Sequence, residues 1–427
     1  MDKIVFEQLK ETLFHEKLPN GLDVYLLPKE GFNKTYATFT TKYGSIDNRF
    51  VPIGQNEELH VPDGIAHFLE HKLFEKEDGD VFGQFSKQGA SANAFTSFTR
   101  TAYLFSSTSN VKENLATLID FVQSPYFSDQ TVEKEKGIIG QEITMYDDNP
   151  DWRVYFGLIE NMYKNHPVKI DIAGTIDSIA KINKESLYTC YETFYHPSNM
   201  LLFVVGPINE EEIMNQIREN QSKKEFKEAS EIKRFFDEEP VEVARNKEVL
   251  QMPVQTSKCL VGFKAKNPFR TGQELLKREL TINVLFDLLF GKSSENYEKL
   301  YNDGLIDDSF SFDYTEEYGF GFSMIGGDTE DPDQLAERLK NIMINFELNS
   351  ISEDYLSRIK RKKIGSFLRA LNSPEYIANQ FTRYQFNEMN LFDIVSVLEG
   401  IQRDDLQEVA KDLFDEKCFS VFQVVPK

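Results

Sequence analysis

Cysteine is scarce in this 427-residue chain: Cys190, Cys259 and Cys418 are widely spaced, odd in number and never arranged as Cys-x-x-Cys. That argues against a disulfide framework or a thiolate metal site, and predicts core or helix-face positions for all three. Long apolar runs are missing as well. No stretch approaches the roughly 20 residues that a membrane span needs. The start, Met1-Asp2-Lys3-Ile4-Val5-Phe6-Glu7, has no signal-peptide hydrophobic region, so a cytoplasmic protein without a membrane partner is expected. The net charge is −22, which disfavours nucleic acid because a polyanion needs an excess of cations on its partner. An acidic chain attracts basic peptides or, more commonly, only keeps itself dissolved. Histidine is scarce in one half alone: there are six, and none follows His196.

Against that background His67-Phe68-Leu69-Glu70-His71 stands out. On a helix, residues i and i+4 lie about one turn apart, so the two imidazoles point the same way with Glu70 close to the same face. Neutral imidazoles ligate Zn(II), and a carboxylate beside an open coordination position can take a proton from a water that the metal acidifies. The order is the reverse of His-Glu-x-x-His, the inverted-zincin pattern. An ordinary polar helix face is the competing reading. The flanks Gly64-Ile65-Ala66 and Lys72-Leu73-Phe74 are largely apolar, however, and buried imidazoles and carboxylates need partners.

A third ligand has to come from elsewhere, and the segment from Thr131 to Asp147 offers Glu133, Glu135, Gln141 and Glu142. Glu135 and Glu142 are two helical turns apart and share a face, while Ile138, Ile139, Ile143 and Met145 are expected to supply the apolar contacts. The alternation Glu133-Lys134-Glu135-Lys136 reads as a solvated first turn. Glu142 lies among apolar residues after that turn, where an unpaired carboxylate is costly.

The length exceeds a usual single core, and 36 Phe with 18 Tyr suffice for two. Strands are expected near 22–27, 35–43, 90–97, 99–107 and 201–205, with helices between them and an N-cap pair at Asn110 and Glu113. Residues 223–240 are charge-dense and read as a linker between domains 1–222 and 241–427. Beyond it the order recurs: a strand at 259–263, helices at 274–290 and before Gly304, strands at 309–314 and 319–325, helices over 332–413, and a strand at 419–424. Gly89 and Gly304 fall at equivalent points, which suggests a degenerate internal duplication. The second half has no histidine, so it cannot repeat the site and is expected to be a wall, clamp or binding surface.

These residues resemble the pitrilysin/insulinase family of zinc metallopeptidases, on the side of the mitochondrial processing peptidase subunits and their bacterial relatives. The similar stretches are Leu18-Pro19-Asn20-Gly21-Leu22, His67 to His71, Gly89-Ala90-Ser91-Ala92-Asn93-Ala94-Phe95-Thr96, Glu135 to Glu142, and Tyr195-His196-Pro197-Ser198-Asn199-Met200, in family order. The resemblance implies an α+β fold of two homologous sandwich-like halves, each a mostly antiparallel sheet covered by helices. It implies that His67, His71 and Glu142 bind zinc, that Glu70 is the general base, and that Glu135 supports the site from outside. Ala92-Asn93-Ala94-Phe95-Thr96 would match the edge strand to which a peptide substrate adds itself by main-chain pairing, with Ala92, Asn93, Ala94 and Phe95 binding the substrate.

The chain departs from the family in one place. Many relatives carry an arginine and, several residues on, a tyrosine that grip the substrate backbone; Tyr301 and Asp307 stand there instead. The expected function is a zinc endopeptidase acting on peptides or unstructured segments, with a homologous partner subunit, in a heterodimer or homodimer, supplying what is missing. A non-catalytic or peptide-escort subunit that keeps the fold and the metal is the alternative.

Overall fold

Leu201 to Val205 and Val24 to Leu27 have no polar face, and each becomes an interior strand buried on both sides. In a computed structural model that describes residues 1–77, 79–348 and 351–427, they sit at the centre of a seven-stranded sheet. Its order is Asp2–Phe6, Glu11–Lys17, Asp23–Pro28, Met200–Gly206, Thr35–Thr41, Thr101–Ser107, Ala90–Thr96. Only Asp23–Pro28 and Met200–Gly206 run parallel. Ala90–Thr96 therefore forms an edge, with no strand beyond it among the described residues.

A second sheet repeats the last five positions of the first: Lys247–Met252, Phe419–Pro426, Ser257–Phe263, Phe320–Thr329, Ser311–Glu317. Here too the first two strands are parallel and the rest antiparallel. Gly89 and Gly304, at φ +76° and +71°, take the left-handed backbone that glycine tolerates. Each stands ahead of the hairpin that ends its sheet, so the duplication holds at the level of topology.

The sequence reading missed the hairpin Asp2–Phe6/Glu11–Lys17 and the strand Lys247–Met252. The outer strand of that hairpin is exposed along most of its length and carries no in–out alternation to betray it. The expected cap at Asn110 does not form. Asn110 does precede the helix Val111–Val122, but at φ +51°, and its amide donates to the Gln88 carbonyl instead.

Set beside the contiguous division 1–222, 223–240, 241–427, the compact units interleave. One comprises Met1–Ile143, Asp171–Phe236 and Ala370–Phe386; the other comprises Thr144–Ile170, Asp237–Arg369 and Asn387–Lys427. In the first, helix Pro374–Phe386 covers Met200–Gly206 and Thr35–Thr41, with the Phe381 ring 4.7 Å from Phe203 and 4.9 Å from Tyr25. In the second, helix Pro150–Met162 covers Phe419–Pro426 and Ser257–Phe263. Each unit thus uses a helix encoded in the other half of the sequence.

The charged segment 223–240, within which the chain passes from one unit to the other at Phe236 and Asp237, is fastened to both by charge and main-chain bonds. Arg234 bonds the buried Asp47 at 2.7 Å and lies over the Phe194 ring, while Val51 and Phe235 exchange main-chain bonds with Lys233 and Arg49. Further on, the Glu239 carboxylate accepts the backbone N–H groups of Lys164, Asn165 and His166 and pairs at 2.6 Å with Lys264, whose side chain is 3% exposed. Few apolar residues are needed when each buried charge is answered in this way.

Burial alone would raise the Glu239 pKa, but the three N–H groups and Lys264 outweigh it and hold the carboxyl below its ordinary 4.5. A depressed carboxyl stabilises the fold above the unfolded-state pKa, and that contribution is lost as pH falls through the folded-state pKa. Glu239→Ala is expected to cost roughly 3 kcal/mol in denaturant unfolding at neutral pH, because a buried ammonium loses its partner. The gap to wild type should narrow below about pH 4.

Candidate active site

The helix Ile65–Phe74 starts at Gly64, whose φ of +86° and missing side chain let the Ala173 carbonyl come within 2.3 Å of where a Cβ would stand. This seats the helix deep in its unit, with His67 and Glu70 both buried. The i, i+4 spacing then brings the His67 and His71 rings to 4.6 Å between centroids.

A second helix, Asp129–Asp147, lies against that face. Its Glu142 carboxylate stands 3.7 Å from His67 Nε2 and 3.6 Å from His71 Nε2, one oxygen to each. One ligand atom from each of the three lies within 4.8 Å of the others, the only such cluster among the described residues. Ligands about 2.0–2.1 Å from a tetrahedral zinc are about 3.3–3.5 Å apart. Two imidazoles and one carboxylate gathered this closely are the donor set of a catalytic zinc site, in which the fourth position is left to water or substrate.

The surroundings adjust the donors for that role. Burial, with His71 alongside, pushes His67 down to about 4, so this imidazole is neutral with a lone pair to give. Its Nδ1 is buried with no hydrogen-bond partner among the described residues, so its polar interactions lie on the Nε2 side. Burial also opposes charge on His71, but the Glu135 hydrogen bond and the nearby carboxylates hold its pKa above the ordinary value. Glu135, buried, meets His71 Nδ1 at 3.0 Å, and that contact overcomes its own burial to keep its carboxyl low. The ring is thereby oriented with Nε2 towards Glu142.

Glu70 is placed differently. Burial raises its pKa, and a 2.6 Å hydrogen bond from Thr96 Oγ1 to its Oε2 opposes that rise. Thr96 belongs to the edge strand Ala90–Thr96. The sequence places it at the end of the substrate-pairing strand but does not disclose its bond to Glu70, since nothing in the spacing ties residue 96 to residue 70.

Ser97 N–H bonds the Arg100 carbonyl at 2.8 Å, and antiparallel alternation from there points the main-chain groups of Ala92, Ala94 and Thr96 out of the sheet edge. Asn93 and Phe95 turn theirs inward to Thr101–Ser107. The Asn93 side chain accepts from the outward Ala94 N–H at 2.9 Å.

Other expectations meet different outcomes. Glu133 pairs with Lys136 at 2.6 Å and is solvated as expected, whereas Glu135 of the same run is buried, because the helix turns it onto His71. Ile139 and Ile143 are buried, whereas Ile138 is 45% exposed and Met145 59%, so the apolar stripe of this helix is narrower than its composition suggests. His166 and His196 cap short turns, His15 bonds Asp23, and none of these joins the cluster. Tyr301 is 53% exposed, and Asp307 accepts from the Ser309 backbone at 2.8 Å.

Residues 50–176 match the family described as Insulinase (Peptidase family M16), and residues 181–363 match the Peptidase M16 inactive domain. The chain is 66% identical to the zinc protease YmfH of Bacillus subtilis (strain 168), over 99% of both proteins. It is 27% identical to the zinc protease YmxG of the same organism, over 86% of this chain and 90% of that one. Among solved structures, an M16-like peptidase from Alicyclobacillus acidocaldarius is 40% identical, superposes with a TM-score of 0.94, and is matched over 98% of this chain and 99% of its own. Two homologous domains, the cluster of two histidines and a glutamate, and these relatives together make the chain a zinc metalloendopeptidase of the insulinase family, peptidase family M16.

Proposed function

We propose that the chain hydrolyses internal bonds of peptides or unstructured segments, with His67, His71 and Glu142 holding zinc and Glu70 acting as general base. The observation that carries this reading is the convergence of two imidazoles and a carboxylate from separate helices, with Glu70 beside them. When bound, zinc supplies Lewis acidity, polarising a carbonyl oxygen and acidifying water. Glu70 takes the proton at Oε1, its other oxygen being held by Thr96, and delivers it to the departing amine as the C–N bond breaks and the C–O bond forms. Glu135 keeps the His71 ring in register.

Ala92, Asn93, Ala94 and Phe95 would receive the substrate as an added strand. Its main chain would pair with the outward groups of Ala92 and Ala94, the Asn93 side chain swinging away from the Ala94 N–H. Backbone pairing asks only for an extended segment, which suits unfolded substrates. A cytoplasmic location accords with three buried cysteines and no disulfide among the described residues. No described helix is long and apolar enough to cross a membrane.

Because Tyr301 and Asp307 stand where relatives carry arginine and tyrosine, a homologous partner is the proposed source of the missing substrate grip, most simply as a heterodimer. Full peptidase rates from the isolated chain, with no gain from any related subunit, would remove the partner from this account.

Cleavage of an unstructured fluorogenic peptide tests the reading directly: chelation should abolish it and added zinc should restore it, whereas turnover that survives chelation contradicts it. Glu135→Gln should lower the rate roughly 10- to 100-fold while disturbing zinc content less, a split readable by metal analysis beside kinetics.

A further inference from the structure

We propose that Thr96 is a positioning residue that couples docking of a peptide on the edge strand to the orientation of Glu70. The proposal rests on Glu70 being the base, as read above.

Thr96 Oγ1 lies 2.6 Å from Glu70 Oε2. That is the length of a charge-assisted O–H···O⁻ bond, in which the hydroxyl donates. The proton goes to Glu70 because a carboxylate oxygen at 2.6 Å is the nearest acceptor for this hydroxyl among the described residues. Thr101 Oγ1 is 3.4 Å away, too far to compete as an acceptor, and it donates its own proton to the Tyr43 carbonyl at 2.9 Å rather than to Thr96. Threonine is stiff at χ1, so the position of its hydroxyl follows its backbone closely.

The backbone of Thr96 is also part of the docking surface. It pairs with Thr101 at a site where antiparallel alternation sends its N–H and C=O out of the sheet. A peptide that adds itself to this edge fixes the φ and ψ of Thr96. In doing so it fixes the hydroxyl that holds one oxygen of Glu70, leaving Oε1 aimed for proton transfer. One residue thus belongs at once to the strand that receives the substrate and to the hydrogen bond that aims the base. Misplacing a catalytic group by an ångström costs on the order of 100-fold.

The test compares Thr96→Val, which keeps the shape and deletes the hydroxyl, with Thr96→Ser, which keeps the hydroxyl. Thr96→Val should lower kcat roughly 10- to 100-fold with KM within about threefold and zinc content unchanged, and Thr96→Ser should recover most of the loss. Visible spectra of the cobalt(II)-loaded proteins supply a readout independent of turnover: the d–d bands should change in Thr96→Val, where the unrestrained Glu70 carboxylate rotates near the metal, and remain as wild type in Thr96→Ser. A Thr96→Val protein with normal kcat, a defect confined to KM, or a serine variant no better than valine would overturn the proposal. If the wild-type protein shows no zinc-dependent hydrolysis, the functional reading falls and the spectra alone decide the positioning role. A band change in valine but not serine upholds it, and identical bands in all three proteins overturn it.

Discussion

Glu70→Gln should keep its zinc and lose hydrolysis by about 100- to 10,000-fold, the span that general base catalysis contributes. The substitution is nearly isosteric, and its amide oxygen can still accept the Thr96 hydroxyl that now bonds Oε2. The helix Ile65–Phe74 and the two imidazoles therefore stay where they are. What disappears is the basic lone pair. Burial raises the Glu70 carboxyl above its ordinary value, which makes it a stronger base than a surface carboxylate. Metal analysis with single-turnover kinetics on one preparation separates the outcomes: turnover retained in Glu70→Gln would remove the base assignment, and zinc lost with it would make Glu70 part of the metal's support.

His67→Ala and His71→Ala should each lose the metal and, with it, all measurable hydrolysis. Each variant leaves one imidazole and Glu142, two protein ligands where a catalytic zinc site uses three. Zinc that binds only the native state stabilises it by mass action. Chelation should accordingly lower the Tm of the wild-type protein and leave those of the two histidine variants unmoved. Glu142→Gln should bind zinc more weakly, because a neutral amide replaces an anionic donor. Equal zinc content in that variant and in wild type would point to another third ligand.

Much of the site was visible in the sequence because its spacings are local and helical. His67 and His71 are one turn apart, Glu135 and Glu142 are two, and each pair stays on one face whatever the rest of the chain does. The duplication was visible for a similar reason, since Gly89 and Gly304 punctuate equivalent helix-to-hairpin passages.

What was hidden depends on which distant element receives a given face. Pro150–Met162 and Pro374–Phe386 present ordinary apolar faces, and nothing in either pattern says that each covers the sheet built mainly from the other half of the chain. The segment 223–240 reads as a linker because it has little to bury, and the passage between the units at Phe236 and Asp237 falls within it; its anchoring by Arg234 and Glu239 through charge and main-chain hydrogen bonds was the part not legible. Thr96 meets Glu70 across 26 residues. That contact exists only once the edge strand is laid beside the motif helix.

The central claim is that one metal ion is clasped between two helices by His67, His71 and Glu142. Anomalous diffraction at the zinc edge from crystals of the zinc-loaded protein tests it most directly. The account predicts a single strong peak about 2.0–2.2 Å from an Nε2 of each histidine and from a Glu142 oxygen, with Glu70 close by and not ligating. A peak elsewhere, or a Glu142 carboxylate turned away from an ion held by other residues, would contradict it.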